Sequence, residues 1–251
     1  MTDKPDIEWS KLTYQRFAQL ASDDRLSKYE KIGFPNSYRE GFEQHIFHDI
    51  CQKLPRLGER KLQILDIGPG CSGIPEMLYG LCELQEHRLH LVDSPEMLAQ
   101  LPDNGFVEKH PGMFPDCKES LGELKGKVDV IICYSVFHYV FVDGNPFHFI
   151  DTILDFMAPG GECLIGDIPN ASKRFRFFSS EAGIAFHKQF TGSDALPPSR
   201  PNGPLPGTID DAVLTGLVLR ARAAGADAYL MPQPPSLPMA NRREDILIRR
   251  P

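Results

Sequence analysis

Short apolar runs alternate with stretches of helical periodicity between residues 62 and 221. The runs are a few residues long and largely lack a polar face, which is typical of strands buried on both sides of a sheet. Between them, apolar residues recur at spacings of three and four, as from residue 74 to residue 84. This alternation predicts βαβ units in a doubly wound, mostly parallel α/β fold. The predicted strands of this part are 62–67, 89–92, 128–133 and 162–168.

The last part of the chain departs from this alternation. After a helix predicted within residues 208–225, two strands are expected near 228–231 and 245–248. The segment between them, 232–238, is rich in proline and too short for a crossover helix. These two strands are therefore predicted to pair antiparallel.

Two regions lie outside the βαβ pattern. Residues 1–60 are predicted to form a helical N-terminal extension that acts as part of a lid, and in it a helix over 39–54 ends at Pro55. Residues 169–207 are too long for an ordinary connection, and their aromatic content favours an ordered lid over the substrate. The domain itself is expected to span 61–251, with this lid as an insertion.

The predicted lid contains the basic residues Lys173, Arg174 and Arg176 among several phenylalanines. Such a cluster suits an anionic substrate, for instance an acidic sugar. It equally suits a solvated basic turn that the phenylalanines anchor to the protein. Both interpretations stay open at the level of sequence.

Composition narrows the classes of function. The 251 residues include 34 acidic and 27 basic side chains, giving a net charge of −7, which argues against a nucleic-acid partner. No secretory signal and no apolar stretch long enough to span a bilayer is present, so no membrane association is expected. The six cysteines form no C-x-x-C pair. We expect free thiols, a cytoplasmic location and no bound metal.

The most informative segment follows the first predicted strand. Residues 66–73 read D-I-G-P-G-C-S-G and include the pattern G-x-G-x-x-G, which lets a ligand approach the backbone closely. Asp93 ends the next predicted strand, where a carboxylate can accept hydrogen bonds from both hydroxyls of a ribose. Nicotinamide enzymes and adenosylmethionine enzymes both use this geometry, so the turn alone leaves the two classes open.

Four segments together resemble the class I S-adenosylmethionine-dependent methyltransferases. Residues 66–70 are similar to the D-x-G-x-G motif of that family, and residues 91–98 (L-V-D-S-P-E-M-L) to its second motif. Residues 128–139 and the P-G-G turn within 158–165 resemble its fourth-strand and fifth-strand segments. The resemblance implies a Rossmann-like sheet of seven strands with an antiparallel C-terminal strand. It also implies S-adenosylmethionine as the cofactor.

The resemblance further implies roles for particular residues. Asp66 would hold the amino group of the methionine moiety, Asp93 the ribose hydroxyls, and Met97 a side of the adenine. Asp93 has an alternative role as a helix cap, and Met97 an alternative role in the core. The full set of implied cofactor-binding residues is Asp66, Gly68, Pro69, Gly70, Asp93, Ser94, Met97, Tyr134 and Ser135.

Methyl transfer to an alcohol also needs a proton acceptor within hydrogen-bond reach. His138 follows the fourth predicted strand, Asp167 ends the fifth, and His187 lies in the predicted lid. These three are the candidate catalytic residues, although each has a purely structural alternative. No D/N-P-P-Y segment follows the fourth strand, and in the family this absence favours oxygen or another small-molecule acceptor over amino groups of bases or glutamine.

The sequence therefore predicts an S-adenosylmethionine-dependent methyltransferase acting on a small-molecule acceptor, with oxygen favoured and a sugar or other polar metabolite as examples. Two alternatives remain at this level. One is an NAD(P)-dependent oxidoreductase, which rests on the literal glycine pattern. The other is a catalytically silent protein that binds S-adenosylmethionine. Assembly as a homodimer is also left open.

Overall fold

The computed structural model describes residue 7 and the ranges 12–197 and 207–251. The predicted N-terminal extension and the predicted lid each extend beyond these ranges, at residues 1–6 and 8–11 and at residues 198–206. The parts of both predictions that fall there lie outside the described residues.

The centre of the fold is a seven-stranded sheet with the order β3-β2-β1-β4-β5-β7-β6. Strands β1 to β5 pair in parallel, whereas β7 is antiparallel to both of its neighbours, β5 and β6. The predicted doubly wound α/β fold with its antiparallel C-terminal strand is thereby confirmed. The strands are β1 (Gln63–Ile67), β2 (Arg88–Asp93), β3 (Val107–Pro111), β4 (Val128–Tyr134), β5 (Met157–Pro169), β6 (Asp227–Pro232) and β7 (Arg243–Arg249).

Helices connect the strands and extend the chain at its N-terminus. Polar caps begin several of them: Ser94 caps α5, Asn145 caps α7 and Asp210 caps α10. No helix within the described ranges combines enough length with enough hydrophobicity to cross a bilayer. The helices are α1 (Tyr14–Ala21), α2 (Lys28–Lys31), α3 (Glu43–Lys53), α4 (Gly73–Gln85), α5 (Pro95–Leu98), α6 (Phe137–Asp143), α7 (Pro146–Phe156), α8 (Ala171–Phe178), α9 (Glu181–Thr191) and α10 (Asp211–Ala223).

Helix α3 and strand β5 begin several residues away from their predicted starts, and the described part of the predicted lid is helical. Helix α3 begins at Glu43 instead of residue 39, because Gly41 takes a left-handed φ of 83° just before it. Strand β5 begins at Met157 and not at residue 162, since Met157 already pairs with Val128 before the turn. The first part of the predicted lid forms the helices α8 and α9.

The central strand β4 is buried on both faces of the sheet. Val130 and Ile132 face a cluster that includes residues of α3 and α4, whereas Ile131 and Cys133 face a cluster that includes residues of α7 and α10. A strand with apolar neighbours on both sides has no polar face, which explains why its sequence reads as a continuous apolar run.

The N-terminal extension is joined to the sheet by a buried ion pair. Lys53, the last residue of α3, donates to Asp49 Oδ2 at 2.7 Å and to Asp245 Oδ2 at 2.6 Å. Asp245 is fully buried on β7, and its other oxygen accepts from the backbone N–H of Asp167 at 2.8 Å and from Gln233 Nε2 at 3.0 Å. Burial raises the pKa of Asp245, and Lys53 opposes that rise. The ammonium group of Lys53 thus offsets the free-energy cost of removing the Asp245 carboxylate from water.

We expect Lys53→Met to lower the free energy of unfolding by about 3 kcal/mol at neutral pH, because Asp245 would keep a buried charge with no cation beside it. Urea denaturation of the two proteins measures this difference. The matched control is Lys125→Met, which removes an exposed pair with Asp155 at 3.1 Å and should cost less than about 1 kcal/mol. Equal losses in the two variants would contradict the structural role of Lys53.

Candidate functional site

A cavity of about 360 Å³ opens at the carboxyl ends of the parallel strands. It lies where the strand order reverses, between β1 and β4, which is the usual ligand position in open α/β sheets. The N-terminal extension provides its roof through Tyr14 and Phe17 of α1, and through Ile32, Phe34 and Arg39. The cavity is therefore built from both predicted parts of the chain, the domain and its extension.

The glycine turn after β1 forms the floor of the cavity. Gly68 and Gly70 have left-handed φ values of 70° and 65°, which residues with a side chain rarely adopt. A Cβ at Gly68 would lie 2.5 Å from Val136 Cγ2, and one at Gly70 would lie 2.7 Å from Ile32 Cγ2. Glycine is thus needed at both positions for conformation and for space. Pro69 between them also lines the cavity.

Asp66 and Asp93 bring two carboxylates to the cavity from the ends of neighbouring strands. Burial raises the pKa of Asp66 to about 8, and the negative charge of Asp93 adds to the rise. Burial also raises the pKa of Asp93 to about 6, although its oxygens accept from the backbone N–H of Ser94 at 2.7 Å and of Gly70 at 3.2 Å. Within the described ranges neither forms an ion pair, so the site favours a ligand that brings positive charge or hydroxyl donors.

Met97 and Ser94, both predicted to bind the cofactor, are placed differently from each other. Met97 lines the cavity, whereas the Ser94 hydroxyl accepts from the backbone N–H of Met97 at 3.2 Å and caps α5. Ser94 is buried and does not itself line the cavity. The wall beyond Met97 is formed by the loop after β3, which contributes Met113 and Phe114.

At the end of β4, two of the residues predicted to bind the cofactor, Tyr134 and Ser135, line the cavity. Ser135 has a left-handed φ of 63°, and Asp167 at the end of β5 has one of 58°. The Ser135 hydroxyl donates to Asp167 Oδ2 at 2.5 Å. Arg39 of the extension donates to the same carboxylate oxygen at 3.2 Å and also hydrogen-bonds the Ser135 hydroxyl. This network fixes two unfavourable backbone conformations side by side.

Aromatic rings enclose the guanidinium of Arg39. Its centre lies 4.2 Å from the ring centroid of Phe34 and 5.7 Å from that of Tyr134. The Tyr134 ring lies against the backbone of Gly166, where an added Cβ would come within 2.3 Å of it. Burial and the charge of Asp167 hold the pKa of Tyr134 well above its ordinary value, so its hydroxyl stays protonated.

The three candidate bases do not line the cavity. Burial and the nearby charge of Arg243 lower the pKa of His138 to about 3, and its ring packs on Tyr139. Asp167 is buried, but Arg243 and Arg39 outweigh this burial and hold its pKa below its ordinary value, with both cations in contact. His187 lies on α9, with its ring edge-on to Phe178 at 6.0 Å.

Helix α8 of the insertion is fastened to the rest of the domain. Arg176 pairs with Asp211 of α10, and Lys173 Nζ donates to the backbone oxygen of Arg243 at 2.8 Å. Ring contacts among Phe177, Phe178 and Phe186 hold α8 and α9 together. None of the described residues of this insertion lines the cavity, so its role as a substrate lid stays a prediction.

Several cavity residues carry no motif that sequence reasoning could use. Arg39 and Tyr14 belong to the extension, which was predicted only as a helical cover. His148 and Asp143 lie at the exposed rim, where Asn145 caps α7 by accepting from the backbone N–H of His148 at 3.1 Å. His148 is thus a titratable side chain that the cavity contains and the sequence analysis did not single out.

The sequence matches no protein-family model, and no curated protein is significantly similar to it. Solved structures do match. The plantazolicin methyltransferase BpumL with SAH has a TM-score of 0.58 and 15% identity, covering 94% of each chain. The plantazolicin methyltransferase BamL, with SAH and a triazolic desmethylPZN analog, has 0.58 and 12%, covering 93% of this chain and 95% of that one.

A third structure, the N-methyltransferase NodS from Bradyrhizobium japonicum with S-adenosyl-L-homocysteine, has a TM-score of 0.51 and 15% identity over 95% of this chain and 98% of that one. All three cover more than nine tenths of this chain. The chain has the fold of the class I S-adenosylmethionine-dependent methyltransferases. At identities of 12–15%, this similarity establishes the fold alone.

We expect Arg39→Met to lower the free energy of unfolding by about 2–4 kcal/mol at pH 7, because Asp167 would lose its closer cation and keep only Arg243. Asp167 has a depressed pKa, so its stabilising contribution is present above its unfolded pKa of about 3.9 and is lost as the pH falls through the folded value. The difference between the two proteins should therefore shrink below about pH 4.

Denaturation at several pH values measures this effect. The matched control, Arg220→Met, removes an exposed bidentate pair with Asp151 at 2.7 and 2.8 Å and should cost less than about 1 kcal/mol. A loss in Arg39→Met that does not change with pH would argue against the pairing with Asp167.

Proposed function

We propose that the protein binds S-adenosylmethionine in this cavity and transfers its methyl group to a small-molecule acceptor. The observation that carries the proposal is the pair Asp66 and Asp93, two carboxylates with raised pKa values on either side of a left-handed glycine turn. An ammonium group and a ribose diol together match the needs of these two carboxylates. The neighbours solved with the demethylated cofactor support the same choice.

Different residues of this chain would bind different parts of the cofactor. Asp66 would accept from the ammonium group and Asp93 from the ribose hydroxyls, while Met97, Met113 and Phe114 offer apolar surface to the adenine. Ser94 contributes through its backbone N–H, which orients Asp93 at 2.7 Å.

Arg39 supplies a positive charge at the roof of the cavity. Its Nε is buried and has no hydrogen-bond partner among the described residues. That donor suits a carboxylate, either of the methionine moiety or of an acidic acceptor.

Bound S-adenosylmethionine supplies an electrophilic methyl group on a sulfonium. For such a displacement, the protein's main tasks are to align the acceptor and to exclude water. The roof is suited to both, since Phe17 and Tyr139 pack edge to face at 4.9 Å between their ring centroids, and both line the cavity.

We further propose that the acceptor atom is oxygen and that its proton leaves through the rim of the cavity. His148 is the histidine that lines the cavity among the described residues, and Asp143, at the end of α6, lines the same cavity. The predicted bases His138 and Asp167 are poorly suited, because one has a pKa of about 3 and the other is ionised between two arginines. The same observation also favours the silent cofactor-binding alternative, which a test of turnover separates from catalysis.

We also place the protein in a reducing, cytoplasmic environment. All six cysteines are free, which is consistent with this location. The absence of a nucleic-acid partner and assembly as a homodimer stay predictions, and light scattering of the purified protein tests the second.

We expect binding of S-adenosylhomocysteine to tighten with rising pH. The ligand's ammonium group needs Asp66 ionised, and in the free protein the pKa of Asp66 is about 8, so binding releases a proton below that value. Calorimetric titration should show the association constant rising by up to about tenfold per pH unit between pH 6 and 7.5. Asp66→Asn should weaken binding and flatten this profile.

Two comparisons complete that experiment. Asp93→Ala should lose most of the affinity, about 100-fold, because two hydroxyl donors would lose a charged acceptor. Glu83→Ala alters an exposed carboxylate on α4, outside the cavity, and should leave the affinity unchanged. Unchanged affinity in Asp93→Ala, or binding of NADH in place of the homocysteine compound, would refute the proposed function.

We expect His148→Gln to slow methylation of hydroxyl acceptors by about 100-fold or more, because the proton acceptor would be lost. Affinity for S-adenosylhomocysteine should not change. Transfer of label from S-adenosylmethionine to a panel of sugars and phenols measures turnover. His45→Gln, an exposed histidine on α3, is the matched control. Equal rates in both variants would assign proton removal elsewhere, and no transfer by the native protein would favour the silent alternative.

A further inference from the structure

A second cluster of titratable side chains lies on the sheet, outside the cofactor cavity. It consists of His90 on β2 and of Glu108 and His110 on β3. His90 is opposite Glu108 in the parallel register, and Glu108 and His110 are two residues apart, so all three side chains lie on the same face. Both imidazoles are buried, at 7% exposure each, whereas Glu108 is 66% exposed at the edge of the sheet.

The distances within this cluster match a metal coordination sphere. His90 Nδ1 lies 3.1 Å from His110 Nε2. The Glu108 carboxylate faces both nitrogens, with Oε2 3.6 Å from His90 Nδ1 and Oε1 3.6 Å from His110 Nε2. Ligands about 2.0–2.1 Å from a tetrahedral zinc ion are separated by roughly 3.3 Å. The separation of the two nitrogens lies within about 0.2 Å of that value, and each nitrogen lies within about 0.3 Å of it from its nearer Glu108 oxygen.

Gln63 fixes the tautomer that a metal would need. Its side-chain Oε1 lies on β1, 3.0 Å from His90 Nε2. Since an amide oxygen only accepts, the hydrogen of His90 must be on Nε2, which leaves a lone pair on Nδ1 facing His110. A hydrogen bond from the second ring nitrogen to a fixed acceptor is the usual support of a metal-bound histidine.

We propose that His90, His110 and Glu108 bind one zinc ion, with Gln63 as the positioning residue of His90. Two imidazoles and a carboxylate form a ligand set that suits zinc and leaves a fourth position for water. The zinc ion would enter the site from the side of Glu108, because Glu108 is the exposed one of the three ligands. Nothing in this proposal depends on the proposed methyltransferase activity.

The ion would tie the edge strand β3 to β2 near the cofactor cavity. His90 precedes Asp93 by three residues, and His110 precedes the cavity-lining Gly112 by two. A metal at this position would therefore stabilise two of the cavity walls from outside. It would have a structural effect and take no part in the transfer step.

The test uses the full chain, treated with a chelator and a reductant and then titrated with Zn²⁺ against a chromophoric competitor. We expect one equivalent to bind and to raise the melting temperature. Glu108→Gln, His90→Gln and His110→Gln should each weaken binding by at least tenfold, and Gln63→Ala by about 10- to 100-fold. His45→Gln should bind as the native protein does, and Mg²⁺ should not bind, because it prefers oxygen ligands.

Co²⁺ distinguishes this site from the six free thiols. Tetrahedral nitrogen and oxygen ligation gives visible absorption without a thiolate charge-transfer band. Two results would overturn the proposal: no stoichiometric binding, which would leave a simple hydrogen bond between the imidazoles, or binding with a thiolate band that the histidine variants retain. Glu108→Gln keeps the test decisive if a buried histidine variant does not fold, because Glu108 is exposed.

Discussion

The burial of carboxylates at the carboxyl edge of the sheet is the constraint on which this structure depends. Asp167 and Asp245 lie next to each other there, almost fully removed from water. A carboxylate buried this deeply stays ionised when a cation and hydrogen bonds lie beside it. Lys53 provides the cation for Asp245 and Arg39 one for Asp167, and both come from the N-terminal extension. The extension is therefore part of the electrostatic balance of the sheet and not an appended cover.

The same edge contains two carboxylates without such a partner. Asp66 and Asp93 have raised pKa values and form no ion pair within the described ranges. Their ionised forms are destabilised in the free protein, and a ligand with a positive group and hydroxyl donors would reverse that. The charges of Asp167 and Asp245 are thus compensated by cations of the protein itself, whereas those of Asp66 and Asp93 would be compensated by a ligand. Arg39 joins the two pairs of carboxylates, because it pairs with Asp167 and also lines the cavity.

The sequence predicted those features of the structure that depend on a local pattern of residues. Apolar runs specified the buried strands, and the D-x-G-x-G turn indicated Asp66, which lines the cavity, because that motif lies within a few residues. Arg39 and Asp167 are 128 residues apart, and no local signal joins them. His138 was predicted from its place after β4, yet α6 begins at Phe137 and packs the His138 ring against Tyr139. Proximity along the chain gave the correct edge of the sheet, whereas side-chain direction depended on tertiary packing.

The electrostatics of the interior also limit where a proton can go. A group that accepts a proton during transfer must be able to hold it at working pH. His138, with a pKa of about 3, cannot do so, and protonating Asp167 would break its pairing with Arg39. Protonation of Asp167, which does not line the cavity, would therefore weaken a contact that holds the N-terminal extension on the sheet. The solvent-exposed rim, where His148 lies, is the better place to remove a proton from the acceptor, because a proton there can be passed on to water.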